Sequence, residues 1–183
     1  MARHSLREAR ALLLTGAPGS GKTTIVRRVA SELSGARLRG FTTAEIRKGG
    51  DRVGFRIETF DGESAVLAHV SLRSEHRVGR YGVDVASLDR IVASALSPSR
   101  GDVTIVDEIG KMECLSDRFI EAVQKLLDAR RLVVATVGLR GSGFIERVKQ
   151  RPDVELWRLT RATRDNLPAE IIAWIRRRLK AGK

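Results

Sequence analysis

The sequence predicts an α/β domain: a mainly parallel central sheet between two layers of helices, with a β-rich insert at about residues 38–70. Three observations lead there. Short apolar runs alternate with segments of helical period, the pattern left by strand–helix–strand crossovers. Hydrophobic residues make up 42% of the chain but aromatics only 4%, and a core of Val, Ile, Leu and Ala suits strands buried on both faces. The length of 183 residues is ample for one such domain and small for two, so residues 1–183 are expected to fold as one unit.

The elements follow in order. ALLLT at residues 11–15 is a buried strand ended by glycine. A helix over residues 22–33 places Ile25, Val26, Val29, Ala30 and Leu33 at helical spacing. Residues 38–47 are extended, and KGGD at 48–51 marks a turn. Val53, Phe55 and Ile57 then alternate with Gly54, Arg56 and Glu58 as in a half-buried strand, and a further strand is expected at 65–70. A helix at 87–96 and an apolar strand at 103–106 come next, the latter running into Asp107 and Glu108. A helix at 117–129, a strand at 132–137, a short helix at 144–148 and a strand at 154–159 continue the alternation. An amphipathic helix closes the chain, with Ile171, Ile172, Trp174, Ile175 and Leu179 facing inward and Arg176, Arg177 and Arg178 expected on its outer face.

Composition excludes several classes. No run approaches the roughly 18 apolar residues that span a bilayer, and the opening MARHSLREAR is charged. One cysteine, Cys114, forms no internal disulfide, so a cytoplasmic, reducing compartment is expected. The net charge of +12 makes nucleic acid a possible but disfavoured partner: the charges are scattered, and aromatics are not interleaved with them for stacking on bases.

Ligands of such sheets sit beyond the carboxyl ends of the strands, here residues 16–23, 107–108, 136–138 and 160–165. The first of these segments reads Gly16, Ala17, Pro18, Gly19, Ser20, Gly21, Lys22 and Thr23, which matches G-x-x-x-x-G-K-[ST] in full. Glycines let the backbone curl so that successive N–H groups point at phosphate oxygens, and the following helix adds its positive N-terminus. Lys22 then reaches the β- and γ-phosphates and the Thr23 hydroxyl ligates magnesium. Thr24 contacts phosphate or caps the helix locally. This is a P-loop, lying between an expected strand and an expected helix.

The second segment ends an apolar strand in two carboxylates. Asp107 fits the acid that holds magnesium, directly or through its waters. Glu108 fits the base that polarises a water for attack on the γ-phosphate. Thr136 is a candidate γ-phosphate sensor on a strand between the two motif strands, with Thr42 and Thr43 as weaker candidates. Water as the acceptor gives a hydrolase. The alternatives are a kinase, with the residue 38–70 insert walling an acceptor pocket, and a nucleotide-switched nucleic-acid module.

Together GAPGSGKTT, GFTTAEIRKGGDRVGFRI, VGRYGVDV and DEIGKMEC, in this order, resemble the thermophilic-type and cancer-related nucleoside-triphosphatases, over about residues 11–175. The resemblance implies a small single-domain P-loop enzyme that hydrolyses ATP, GTP and other nucleoside triphosphates with magnesium and loose base preference. It assigns Lys22 and Thr23 to phosphate and magnesium, Asp107 to the metal and Glu108 to the water. Lys111 and Glu113 lie in the same DEIGKME segment without an assigned role. Lys111, Arg47 and Arg80 are candidates for a cation that stabilises the transition state. The chain departs from the family's Asn-Arg-Asp: it has Thr163, Arg164 and Asp165, losing an amide able both to donate to and accept from a base.

Overall fold

The computed structural model describes residues 8–98 and 101–181; most of the charged N-terminal stretch lies outside them. Nine strands form one sheet in the order β5-β6-β4-β3-β2-β7-β8-β1-β9. Its parallel part comprises β2 (Leu38–Lys48), β7 (Val103–Ile109), β8 (Val133–Gly138), β1 (Ala11–Gly16) and β9 (Val154–Arg158). The remaining strands, β3 (Asp51–Thr59), β4 (Ser64–His69), β5 (Arg77–Val78) and β6 (Tyr81–Val83), add on antiparallel.

Strand alternation splits the core in two. Leu12 and Leu14 of β1 face the layer holding α1 (Lys22–Glu32) and α5 (Leu167–Lys180), where they pack with Val26, Val29, Ile171, Trp174 and Ile175. Leu13 faces the other layer, with α2 (Val85–Ala95), α3 (Asp117–Asp128) and α4 (Phe144–Lys149), which supplies Leu88, Ile91, Phe119, Val123, Phe144 and Ile145. The expected three-layer α/β fold with a mainly parallel centre is the one observed.

Arg178 departs from the outward stripe of α5. It is buried at 4% exposure, its guanidinium stacked on Trp174 and bonded to the Ala9 carbonyl and to Glu155. The long aliphatic stem and planar head let an arginine fill an apolar seam while its N–H groups find acceptors.

The β-rich stretch from residue 38 is continuous with the main sheet. β2 runs parallel to β7 over Leu38–Phe41 and then antiparallel to β3 from Phe41 onward. At the close approach to β7, Gly40 has φ +96° and a Cβ there would lie 1.8 Å from the Ile105 carbonyl oxygen, so only glycine fits. The antiparallel part reaches beyond residue 70 to Val83, through β5 and β6.

Candidate active site

β1 is buried along its whole length and delivers the chain into residues 16–23 at the carboxyl edge of the sheet. The loop turns through a Ser20 N–H to Ala17 carbonyl bond of 3.1 Å, with Gly19 at φ +71° and Gly21 at φ +98°. These left-handed values are open to glycine at little cost. Gly21 precedes α1 and brings no side-chain cap. The first-turn N–H groups of α1 therefore have neither an intrahelical nor a side-chain acceptor, the arrangement that favours an anion at a helix N-terminus. Thr23 is half-buried and Thr24 exposed on that turn, while Ala17, Pro18 and Gly19 are exposed at the loop tip.

Lys22 is buried and donates from Nζ to the Gly16 carbonyl at 3.2 Å, folding its ammonium back over the loop. The buried Ser20 Oγ, inside the same loop, has no hydrogen-bond partner among the described residues. Gly16 packs against Leu159, the last residue before the 160–166 turn.

Two strands away, β7 carries Asp107 and Glu108 past the end of its regular pairing, where the register against β8 shifts between Val106 and Ile109 and the peptide joining the two acids is cis. Asp107 is fully buried. Its Oδ1 accepts from Thr136 Oγ1 on β8 at 2.6 Å, and its Oδ2 from Thr43 Oγ1 on β2 at the longer distance of 3.4 Å. Two hydroxyl donors thus orient the carboxylate from its neighbouring strands. Thr42, one residue away and on the opposite strand face, takes no part.

Glu108 is half-buried, and burial raises its carboxyl above the ordinary range; nearby Asp107 raises it further, while the positive charge of Lys22 opposes the rise. Between Glu108 and the P-loop lies the end of β8, for Gly138 pairs in register with Gly16, and a Cβ on Gly138 would lie 3.5 Å from Glu108 Oε1. Lys22, Gly138 and Glu108 therefore lie side by side along the carboxyl edge of the sheet.

Glu113 lies beneath this edge in a short 3-10 turn (Glu113–Leu115) and is 5% exposed. Burial pushes its carboxyl up to about 8, aided by the charges of Glu108 and Asp107 and partly offset by its own and Gly110's backbone N–H groups. Nothing in the spacing of DEIGKME signals this burial.

The proposed cations divide. Arg47 is bonded to Glu45 and to the Gly50 carbonyl. Arg80 stacks over Tyr81 and bonds to the Arg52 carbonyl. Both belong to the antiparallel part of the sheet and are not drawn together with Lys22 and Glu108. Lys111 is exposed in the turn after β7, with no ion pair among the described residues. Arg140, absent from the expected set, is exposed two residues beyond Gly138. Its only signal in the sequence is a place after an apolar strand, within GLRGSG.

The departure at Thr163 also has a structural form. Its hydroxyl accepts from the Thr160 N–H at 3.0 Å, and its N–H donates to Thr160 Oγ1 at 3.2 Å, closing the turn on itself. Arg161, Arg164 and Asp165 are exposed on this turn.

No group of three or more His, Cys, Asp or Glu side chains among the described residues is placed to hold a metal. The described residues thus hold no all-protein cage; the carboxylate of Asp107 and the hydroxyl of Thr23 are the donor types taken by an ion that keeps most of its waters and binds phosphate oxygens. No helix among the described residues is long and apolar enough to cross a membrane.

Comparison with known proteins finds relatives over nearly the whole chain. A family model described as NTPase matches residues 11–172. Nucleoside-triphosphatase THEP1 of Thermotoga maritima is 42% identical over 88% of this chain and 93% of its own length. The human cancer-related nucleoside-triphosphatase is 34% identical over 91% of this chain and 97% of its own. The crystal structure of THEP1 from the hyperthermophile Aquifex aeolicus superposes with a TM-score of 0.81 at 32% identity, covering 90% of this chain and 98% of that one. With the family model spanning most of its length and relatives above 30% identity along nearly all of it, the chain belongs to this nucleoside-triphosphatase family.

Proposed function

We propose that the protein hydrolyses nucleoside triphosphates, ATP and GTP among them, to the diphosphate and inorganic phosphate with magnesium. The observation that carries this reading is the placement of Lys22 and Glu108 on either side of the end of β8, near enough for the lysine's charge to act on the carboxyl. The N–H groups of residues 16–24 bind the phosphate chain, and Lys22 exchanges the Gly16 carbonyl for β- and γ-phosphate oxygens. Thr23 and Asp107 hold magnesium, Asp107 being fixed in orientation by Thr136 and Thr43. When bound, the ion neutralises charge on the β- and γ-phosphates.

Glu108 accepts the proton of a water whose oxygen attacks the γ-phosphorus. The new P–O bond forms as the bond to the bridging oxygen breaks, and that electron pair leaves with the nucleoside diphosphate. A half-buried carboxylate suits this step because it is a stronger base than a solvated one. The relatives' names, nucleoside-triphosphatase in each case, support the reaction class.

The test is phosphate release from ATP, GTP, CTP and UTP with magnesium, with and without an added nucleoside. Release from several triphosphates, independent of the nucleoside, is expected. Transfer of the γ-phosphate to the nucleoside with negligible free phosphate would replace hydrolysis by a kinase reaction.

A further inference from the structure

We propose that Arg140 is the cation that stabilises the transition state, supplied from within the chain by the loop after β8; this rests on the hydrolysis reading above. The γ-phosphate of that reading lies between Lys22 and Glu108. The strand between them is β8, and the paired register of Gly16 and Gly138 brings the loop after β8 out of the sheet beside the P-loop. A Cβ on Gly138 would lie 3.5 Å from Glu108 Oε1 and 3.4 Å from the Arg140 carbonyl oxygen, so the chain turns tightly after β8 at the point where Gly138 meets the glutamate.

That loop is anchored on both sides of Arg140. The Leu139 carbonyl accepts from Lys149 Nζ at 3.1 Å, and Lys149 is itself ion-paired to Glu146 at 2.9 Å. Gly141 lies so close to Ile145 of α4 that a Cβ would come within 2.6 Å of its side chain. Arg140 stands exposed between these anchors, with no ion pair or hydrogen bond of its side chain among the described residues.

Several other basic residues are committed elsewhere. Arg27 bonds to Glu58 and to the Thr43 carbonyl, and Arg47 and Arg80 belong to the β2–β3–β6 cluster. Lys111 lies on the turn beyond β7, and Arg161 and Arg164 on the turn after β9, on the side of β1 away from β8; Arg140 alone of these follows the strand between the P-loop and the glutamate. A guanidinium also spans two non-bridging oxygens of the transferring group, which an ammonium does not. Arg140 changes no covalent bond: its N–H groups donate to γ-oxygens as charge spreads over them, while Glu108 takes the water's proton.

The experiment compares wild type, Arg140→Ala, Arg140→Lys and Lys111→Ala under single turnover with ATP and magnesium. ADP affinity and capture of ADP with aluminium fluoride, a mimic of the transferring phosphoryl group, are measured alongside. Arg140→Ala is expected to slow phosphate release on the order of 10³-fold, keep its ADP affinity and lose the aluminium fluoride complex. Arg140→Lys is expected to recover part of the rate, and added guanidinium to rescue Arg140→Ala in part. An undiminished rate in Arg140→Ala overturns the assignment, as does a parallel loss of ADP binding or the same pattern in Lys111→Ala instead. A wild type that releases no phosphate from any triphosphate overturns the hydrolysis reading, and with it the role of Arg140.

Discussion

The parallel and antiparallel parts of the sheet use similar side chains to opposite ends. At the carboxyl edge of β7, β8 and β1, Lys22, Asp107, Thr136 and Glu108 are gathered side by side. In the antiparallel part, Glu45, Arg47, Arg52, Arg80 and Tyr81 pair with one another: Arg52 bonds Glu45 at 3.0 Å and the Tyr81 hydroxyl at 3.2 Å, and stacks on Phe55. Parallel strands end in register on one side, so side chains just past them converge. Antiparallel hairpins place successive charges across from each other, and these neutralise locally. Residue type alone therefore does not mark a site; whether a charge is ion-paired within the protein does.

The sharpest way to break this contrast is to remove charge on each side of it. Lys22→Ala should lower kcat/KM for ATP by about 10³-fold, because one fixed donor to the phosphates is lost. Thr136→Val leaves Asp107 with only the longer Thr43 contact. It should raise the magnesium concentration for half-maximal activity by about tenfold, with maximal rate recovered at high magnesium. A titration that does not move would detach Asp107 from the metal. On the other side, Arg47→Ala and Arg80→Ala should leave turnover unchanged and cost no more than about 1 kcal/mol each in denaturant unfolding, as for exposed pairs. A large loss of turnover in either would join the two regions that the contrast separates.

Glu113 offers a pH test. Its folded carboxyl is raised from 4.5 to about 8, so the folded state holds a proton that the unfolded state has released across that window. The stabilisation is fully present below pH 4.5 and is lost as pH rises towards about 8. Wild-type melting temperature should therefore fall over this range more steeply than that of Glu113→Gln. Equal slopes would mean that Glu113 titrates as a solvated acid.

Much of this was legible in the sequence because it depends on local rules. The P-loop needs glycines at positions 19 and 21 with positive φ and a lysine where the helix begins, and no distant contact alters that. The parallel strands announce themselves as apolar runs, and Asp107 and Glu108 as acids at the end of one. What was hidden depends on pairing. β5 and β6 hold two and three residues and exist only through their hydrogen bonds to each other and to β4. The change of β2 from a parallel to an antiparallel partner is not encoded in its own period. Arg140 sits in a glycine-rich stretch that reads as an ordinary turn until Gly138 is set beside Gly16. Arg178, taken for part of a solvated stripe, is buried because the chain before β1 and a residue of β9 supply its acceptors.

The hydrolysis reading stands or falls on Glu108 acting on the water opposite Lys22. Single-turnover phosphate release by Glu108→Gln, with ATP binding measured in the same preparation, tests it most directly. Intact binding is expected with a rate lower by about 10²- to 10⁴-fold, the loss for a missing general base. A wild-type rate in Glu108→Gln would contradict it.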